Sequence, residues 1–135
     1  MCDSASNTNN ADTLGSIMDM VKYDDKDLVV AVIQHVETGQ ILMVGYMNRT
    51  ALEVTLRERK ACFWSRSRQK LWIKGETSGN ILHVEEIRVD CDADALLLRC
   101  TPVGPTCHTN ETSCFYRKVE ANGEVVLDGD GVATE

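Results

Sequence analysis

Short β-type segments, separated by turn signals, follow one another through most of the chain, and only one stretch favours a helix. Residues 28–36 and 41–47 are rich in Val, Ile and other apolar residues, and the Glu-Thr-Gly-Gln turn between them predicts a hairpin. Further segments of this type occupy residues 61–65, 70–74, 81–92, 95–101, 114–120 and 124–128. Because strands and helices do not alternate, the pattern predicts an α+β fold with about seven mostly antiparallel strands in a curved or barrel-like sheet.

The helix is predicted to begin after Asn48, a good N-cap residue, and to extend from Arg49 to about Lys60. Its apolar residues form no clean stripe, so the sequence does not indicate which face is buried. We assign residues 1–20 to a flexible N-terminal tail, residues 21–127 to a single domain and residues 128–135 to a C-terminal tail.

The composition is that of a small globular protein. The chain has 135 residues, of which 43% are hydrophobic, and this is enough for one domain with a modest core. The sequence contains no apolar run of the roughly eighteen residues that a membrane span needs. Residues 1–20 also lack the basic and apolar regions of a signal peptide. We therefore expect a cytoplasmic protein that does not bind a membrane.

Charge is unevenly distributed along the chain. The formal net charge of −7 argues against a general nucleic-acid-binding protein. Between Arg57 and Lys74, however, the chain has seven basic residues and one acidic residue, Glu58. One basic segment in an acidic protein indicates a small, specific anion site, and the alternative is a solvated basic face.

The basic segment also contains hydroxyl groups and glycines. Arginine forks, hydroxyls and glycine-rich backbone amides are the groups that bind phosphate. The candidate substrate-binding residues are Ser65, Arg66, Arg68, Lys74, Glu76, Thr77 and Ser78. Trp64 and Trp72 belong either to the core or to a surface that flanks a flat ring.

Asp90, Asp92 and Asp94 occupy alternate positions and would lie on one side of an extended strand. Three neighbouring carboxylates repel one another unless a cation compensates, and oxygen ligands of this kind suit Mg²⁺ or Ca²⁺. The alternative is an acidic turn between two strands.

The chain has six cysteines, at positions 2, 62, 91, 100, 107 and 114. Without a secretory signal, this number indicates metal-binding or catalytic thiols rather than a disulfide framework. Cys62 and Cys100 lie in apolar segments and are predicted to be small buried residues. The spacing of Cys91, Cys107 and Cys114 is not that of a zinc finger, but three thiols without an evident fourth ligand suit a catalytic zinc site. His108, next to Cys107, is a candidate ligand or base.

Three motifs, in this order, resemble the phosphoribosyl-AMP cyclohydrolase family of histidine biosynthesis: FWSRSRQKLWIKGETSGN, DCDADALL and GPTCHTNETSCF. With GYMN at 45–48, the resemblance covers residues 21–118. It implies zinc-dependent hydrolysis of the N1–C6 bond of the adenine ring in phosphoribosyl-AMP. It also implies zinc bound by Cys91, Cys107 and Cys114, magnesium bound by Asp90, Asp92 and Asp94, and an intertwined homodimer. In that homodimer the active sites lie between the subunits, and both subunits supply zinc ligands.

The resemblance also bears on two residues of the last motif. An ordinary histidine has a pKa of about 6.5, so His108 is the candidate for the proton transfers of catalysis. Asn110 stands where family members usually have glycine, and asparagine tolerates the left-handed backbone conformation well, so we expect the loop to keep its shape. The alternative function is a zinc-stabilised, non-enzymatic module that binds a phosphorylated ligand, and four protein ligands on zinc would indicate it.

Overall fold

The computed structural model describes residues 14–128, which form two helices and eight strands. The elements are α1 (Ile17–Met20), β1 (Val29–His35), β2 (Ile41–Met47), α2 (Arg49–Glu58), β3 (Cys62–Ser65), β4 (Lys70–Ile73), β5 (Leu82–Val89), β6 (Ala95–Pro102), β7 (Arg117–Val119) and β8 (Val125–Leu127). The predicted α+β class with one main helix is confirmed.

The main sheet has four strands in the order β2-β1-β6-β5. The hairpins β1–β2 and β5–β6 are antiparallel, and the two central strands β1 and β6 are parallel. Strands β3–β4 and β7–β8 form two separate antiparallel hairpins. Within residues 14–128 the main sheet does not close, because β2 and β5 remain its edges. The prediction of a mostly antiparallel arrangement is therefore confirmed, and that of a barrel is wrong.

Helix α2 begins where the sequence predicts. The Asn48 side chain accepts a hydrogen bond of 2.8 Å from the backbone N–H of Ala51 and so caps the first turn. The helix ends at Glu58, and the capping residue that follows, Arg59, has a left-handed backbone with φ of 57°. Its buried face, which the sequence left open, consists of Ala51, Leu52 and Thr55.

The core lies between one face of the main sheet, α2 and the β3–β4 hairpin. Along β1 the burial alternates, so that Val29, Ala31 and Ile33 face the core, as period-two side-chain geometry requires. Cys62 and Cys100 are 1% and 0% exposed, which confirms their prediction as small buried residues.

Helix α1 lies in the segment that the sequence analysis assigned to the N-terminal tail, where no element was predicted. Ser16 caps this single turn by accepting a hydrogen bond from the N–H of Met18, and Ile17 and Met18 pack against the core. Cys2 and most of the C-terminal tail lie outside the described residues. Among residues 14–128, no helix is long and apolar enough to cross a membrane.

Thr55 connects α2 to β3 through its hydroxyl. The side chain is fully buried, its Oγ1 donates to the carbonyl of Ala51 at 2.9 Å, and it accepts from the N–H of Cys62 at 3.0 Å. Thr55→Val keeps the shape but leaves the Cys62 N–H without this partner. We expect the free energy of unfolding to fall by about 1–3 kcal/mol in denaturant titrations. Thr50→Val, at an exposed position of the same helix, should change it by less than about 0.5 kcal/mol. Equal stability of the two variants would contradict the role of this hydroxyl.

Candidate active site

Three carboxylates meet in the tight turn between β5 and β6. The ligand oxygens of Asp90, Asp92 and Asp94 all lie within 4.8 Å of one another, and all three residues are exposed. Asp90 organises the turn, because its Oδ1 accepts hydrogen bonds from the backbone N–H groups of Asp94 at 3.0 Å and Ala95 at 3.3 Å. The predicted grouping of the aspartates is therefore present, but they lie in a turn between two strands and not along an extended strand, because β5 ends at Val89 and Ala93 has a left-handed backbone.

The charges of these carboxylates influence one another. Loss of hydration raises the pKa of Asp90, but hydrogen bonds from Asp94 and from backbone N–H groups outweigh it and hold the pKa below its ordinary value. The hydrogen bond with Asp90 and the charge of Asp90 raise the pKa of Asp94. A divalent cation would relieve this repulsion, and the three oxygen donors fit Mg²⁺ or Ca²⁺.

Two of the candidate zinc ligands lie together in the loop after β6. The N–H of Cys107 donates to the carbonyl of Glu111, and the N–H of Cys114 donates to the carbonyl of Leu42 at 2.7 Å, which ties the loop to β2. Asn110 has a φ of 73° and closes the turn by donating its N–H to the carbonyl of Cys107. The expected left-handed conformation at Asn110 is thus confirmed.

The two thiols differ in acidity. Burial raises the pKa of Cys107, but hydrogen bonds outweigh it, chiefly that from Thr109, whose Oγ1 lies 3.0 Å from the Cys107 sulfur, and the pKa falls below its ordinary value. For Cys114, loss of hydration and the negative charge of Cys107 raise the pKa to about 11. The thiolate is the form that binds metals, so Cys107 is the better prepared ligand, and a cation would stabilise both thiolates.

Cys91 lies at the opposite end of the main sheet from this pair. Cys91 lies in the turn just before Ala95, and Ala95 is the cross-strand partner of Val30. The thiol pair lies near Ile41, since the hydroxyl of Ser113, next to Cys114, donates to the carbonyl of Ile41. Ile41 is the cross-strand partner of Gln34. Val30 and Gln34 are four residues apart on β1, which corresponds to about 13 Å along the strand. Over residues 14–128, the three aspartates are the only group of three or more potential metal-binding side chains that meet.

One cavity lies beside the thiol pair and contains most of the predicted substrate-binding residues. Its volume is about 440 Å³, which is within the range of small-molecule binding sites. The Nζ of Lys74 lies 5.6 Å from the centre of the Trp72 ring. The positive charge of Lys74 favours both thiolates: it adds to the lowering of the Cys107 pKa and offsets a small part of the rise in the Cys114 pKa. The predicted residues that line this cavity are Arg68, Lys74, Glu76, Thr77 and Ser78.

Arg66 lines a different cavity, of about 580 Å³. Its guanidinium lies 4.1 Å from the centre of the Tyr46 ring, and Tyr46 shares a neighbouring cavity with Asp94. The residues around the Arg66 cavity are Lys26, Asp27, Leu28, Asn48, Trp64 and Gln69. Lys26 and Tyr46 were not predicted as site residues, and only the GYMN segment of the resemblance pointed toward Tyr46.

Ser65 is the half-buried last residue of β3, and His108 lies in the loop after β6. Ser65 Oγ accepts a hydrogen bond of 3.2 Å from the N–H of Arg68 and thereby shapes the turn between β3 and β4. His108 is exposed and directly follows Cys107 in the loop. His83, in contrast, is an exposed residue of β5.

Cationic cavities beside thiol and carboxylate groups are typical of a small enzyme that acts on a phosphorylated compound. Comparison with known proteins agrees with this class. The sequence model of the phosphoribosyl-AMP cyclohydrolase family matches residues 43–116. The phosphoribosyl-AMP cyclohydrolase of Prosthecochloris aestuarii is 54% identical over 111 residues, which cover 82% of this chain and 81% of the relative. That of Chloroherpeton thalassium is 57% identical over 104 residues, which cover 77% and 74%. The chain belongs to the phosphoribosyl-AMP cyclohydrolase family and is a hydrolase, which confirms the resemblance.

The hydrogen bond from Thr109 to Cys107 allows a direct test of the loop. Thr109→Val removes the donor that lowers the pKa of Cys107, so this pKa should rise in the metal-free protein. The ultraviolet absorbance of the thiolate, followed against pH, should show its first transition at a higher pH. Thr109→Ser keeps the hydroxyl and should titrate like the unaltered protein. Superimposable curves for the Val and Ser variants would show that Thr109 has no such effect.

Proposed function

We propose that this chain catalyses the zinc-dependent hydrolysis of the N1–C6 bond of phosphoribosyl-AMP, a step of histidine biosynthesis, in the cytoplasm. The observation that carries the proposal is the Cys107–Cys114 pair beside the cationic Lys74 cavity, in a chain that belongs to this family. A thiol pair supplies soft metal ligands, and the cavity supplies charge for a phosphate group. Residues 21–127 would form the catalytic domain.

The zinc site would be shared between two chains. Cys107 and Cys114 lie together, and Cys91 lies at the other end of the sheet, so one chain supplies only two of the three predicted ligands to a common point. A homodimer in which Cys91 of one chain meets the thiol pair of the other would complete the site. A zinc ion held by these thiols would supply Lewis-acid chemistry that lowers the pKa of water.

The aspartates would form a second, harder metal site. Asp90 and Asp92 flank Cys91, so the same dimer would bring the carboxylate cluster close to the thiols. Magnesium fits the oxygen donors and would order the substrate phosphates. The protein's own contribution is then to bind the phosphates through Lys74 and Arg68 and to hold the adenine ring close to His108. His108 would carry a proton between the attacking water and the ring nitrogen N1 that leaves.

The two metal sites can be separated by substitution. Cys91→Ser should abolish bound zinc and the absorbance change that accompanies adenine ring opening, because it removes a ligand that the thiol pair does not replace. Asp92→Asn should weaken the magnesium dependence of the rate and leave zinc bound. Cys100→Ala, which alters a buried thiol of the sheet core, should retain both metals. Full zinc content in Cys91→Ser, measured by atomic absorption, would show that Cys91 is not a ligand.

His108 is tested by its effect on rate and on metal content. His108→Ala should lower kcat by about 10²–10⁴-fold, alter the pH–rate profile near neutrality and leave zinc bound. His83→Ala, at an exposed strand position, is the matched control and should keep full activity. Loss of zinc in His108→Ala would make this histidine a ligand. Full activity would exclude it as the base, and Glu76 in the Lys74 cavity would then be the next candidate.

A further inference from the structure

We propose that Cys107 and Cys114 form a reversible disulfide within one chain when a peroxide reacts with the metal-free protein, and that this bond prevents metal binding at the loop. The proposed function uses both thiols as zinc ligands, but it does not require them to react with each other. The inference rests on the proposed function only for the identity of the metal. It makes the loop after β6 a modification site as well as a metal site.

The fold holds the two thiols close together. A side-chain hydrogen bond links Cys107 and Cys114. The backbone fixes both residues, because the N–H of Cys107 donates to the carbonyl of Glu111 at 3.1 Å and the N–H of Cys114 donates to the carbonyl of Leu42 at 2.7 Å. The protein itself therefore brings the sulfurs together, and no metal is needed to do so.

The loop can accommodate a disulfide without disturbing the sheets. Both cysteines lie between the end of β6 at Pro102 and the start of β7 at Arg117. A disulfide requires its two Cα atoms to be about 4.4–6.8 Å apart. A segment outside helices and strands can adjust to this distance without breaking the hydrogen bonds of a strand ladder. The chain already reverses between the two cysteines, at Asn110 with its left-handed φ of 73°.

The other described cysteines are poor competitors for this reaction. Cys62 and Cys100 are 1% and 0% exposed in the core. Burial raises the pKa of Cys62 and raises that of Cys100 to about 12, so both remain as unreactive thiols. Cys91 is exposed, but it lies in the turn before Ala95, away from the loop. The pairing should therefore be specific.

The reaction balances with a peroxide as the oxidant. One thiolate attacks a peroxide oxygen, the O–O bond breaks, and a sulfenic acid and hydroxide form. The second thiolate attacks the sulfenic sulfur, so the S–S bond forms and a second hydroxide leaves. The protons of the two thiols convert both hydroxides to water. The two sulfurs together lose two electrons and the peroxide gains them, and the exposed position of Cys114 gives the peroxide access.

Metal binding and oxidation would exclude each other. The thiolate is the form of cysteine that binds metals, so a disulfide removes two of the proposed zinc ligands at once. A bound metal ion, in turn, occupies the sulfur lone pairs that would attack the peroxide. Exposed disulfides are the readily reduced ones, so a dithiol should restore the pair by attack at Cys114.

Peptide mapping of the metal-free protein tests the pairing. Cys100→Ala protein is treated with one equivalent of hydrogen peroxide, alkylated and cut with trypsin and with a protease that cleaves after glutamate. Cleavage after Glu111 separates the fragments 100–111 and 112–117, which contain Cys107 and Cys114. Mass spectrometry should find these fragments joined, with two hydrogen atoms fewer than their sum, and dithiothreitol should separate them. Alkylated, unjoined fragments would overturn the proposal.

Matched variants identify the partners of the bond. Cys91→Ser should give the same joined fragments, and Cys114→Ser should give none. The oxidised protein should migrate as a single chain in non-reducing electrophoresis. A bond from Cys91 to either fragment, or a cross-linked pair of chains, would overturn the disulfide within one chain, while a bond from Cys91 of one chain to the loop of the other would agree with the shared zinc site.

Zinc content links the disulfide to the metal. The oxidised protein should bind no zinc by atomic absorption, and dithiothreitol should restore binding. Protein loaded with zinc beforehand should keep its thiols under the same peroxide treatment. Full zinc binding by the oxidised protein would overturn the exclusion of the metal. If the reduced protein binds zinc and opens the adenine ring but never forms the disulfide, the proposed function stands and this inference fails.

Discussion

The rigid length of the central strands governs how this protein can build an active site. Strands β1 and β6 pair in register from Val30 and Ala95 to His35 and Cys100, and this pairing fixes the separation of the two ends of the sheet. Each residue adds about 3.3 Å, and the backbone hydrogen bonds prevent the strand from folding back. The turn with Cys91 and the aspartates is therefore held away from the loop with Cys107 and Cys114. The three cysteines that we propose as zinc ligands are, within one chain, kept apart by the fold.

Features of the fold that depend on local residues were predictable. Asn48 caps α2 because its side chain reaches the third N–H of the helix, and the Val- and Ile-rich composition with the turn at 37–40 identifies both strands of the first hairpin. The parallel pairing of β1 with β6 was not predictable, because it joins residues that are more than sixty positions apart and leaves no local pattern. The open edges of the sheet follow from the same long-range pairing, which is why the barrel-like prediction failed.

The site shows the same division between local and long-range information. Asp90, Asp92 and Asp94 lie in one short turn, so their spacing alone indicated a cluster. Arg66 and Arg68 are two positions apart in the sequence but line different cavities, because the chain reverses direction between β3 and β4, with Gln69 in the left-handed region at φ of 55°. Lys26 lines the same cavity as Arg66 only because of the tertiary fold, and no sequence motif predicted Lys26 as a site residue.

The central claim is that two chains complete one zinc site from opposite ends of their sheets. Anomalous diffraction at the zinc absorption edge, recorded from crystals of the zinc-loaded protein, tests it most directly. The account predicts one zinc ion per chain, with Cys107 and Cys114 of one chain and Cys91 of the other at about 2.3 Å from the metal. A zinc ion bound by all three cysteines of a single chain, or one that has no bond to any Cys91, would contradict it.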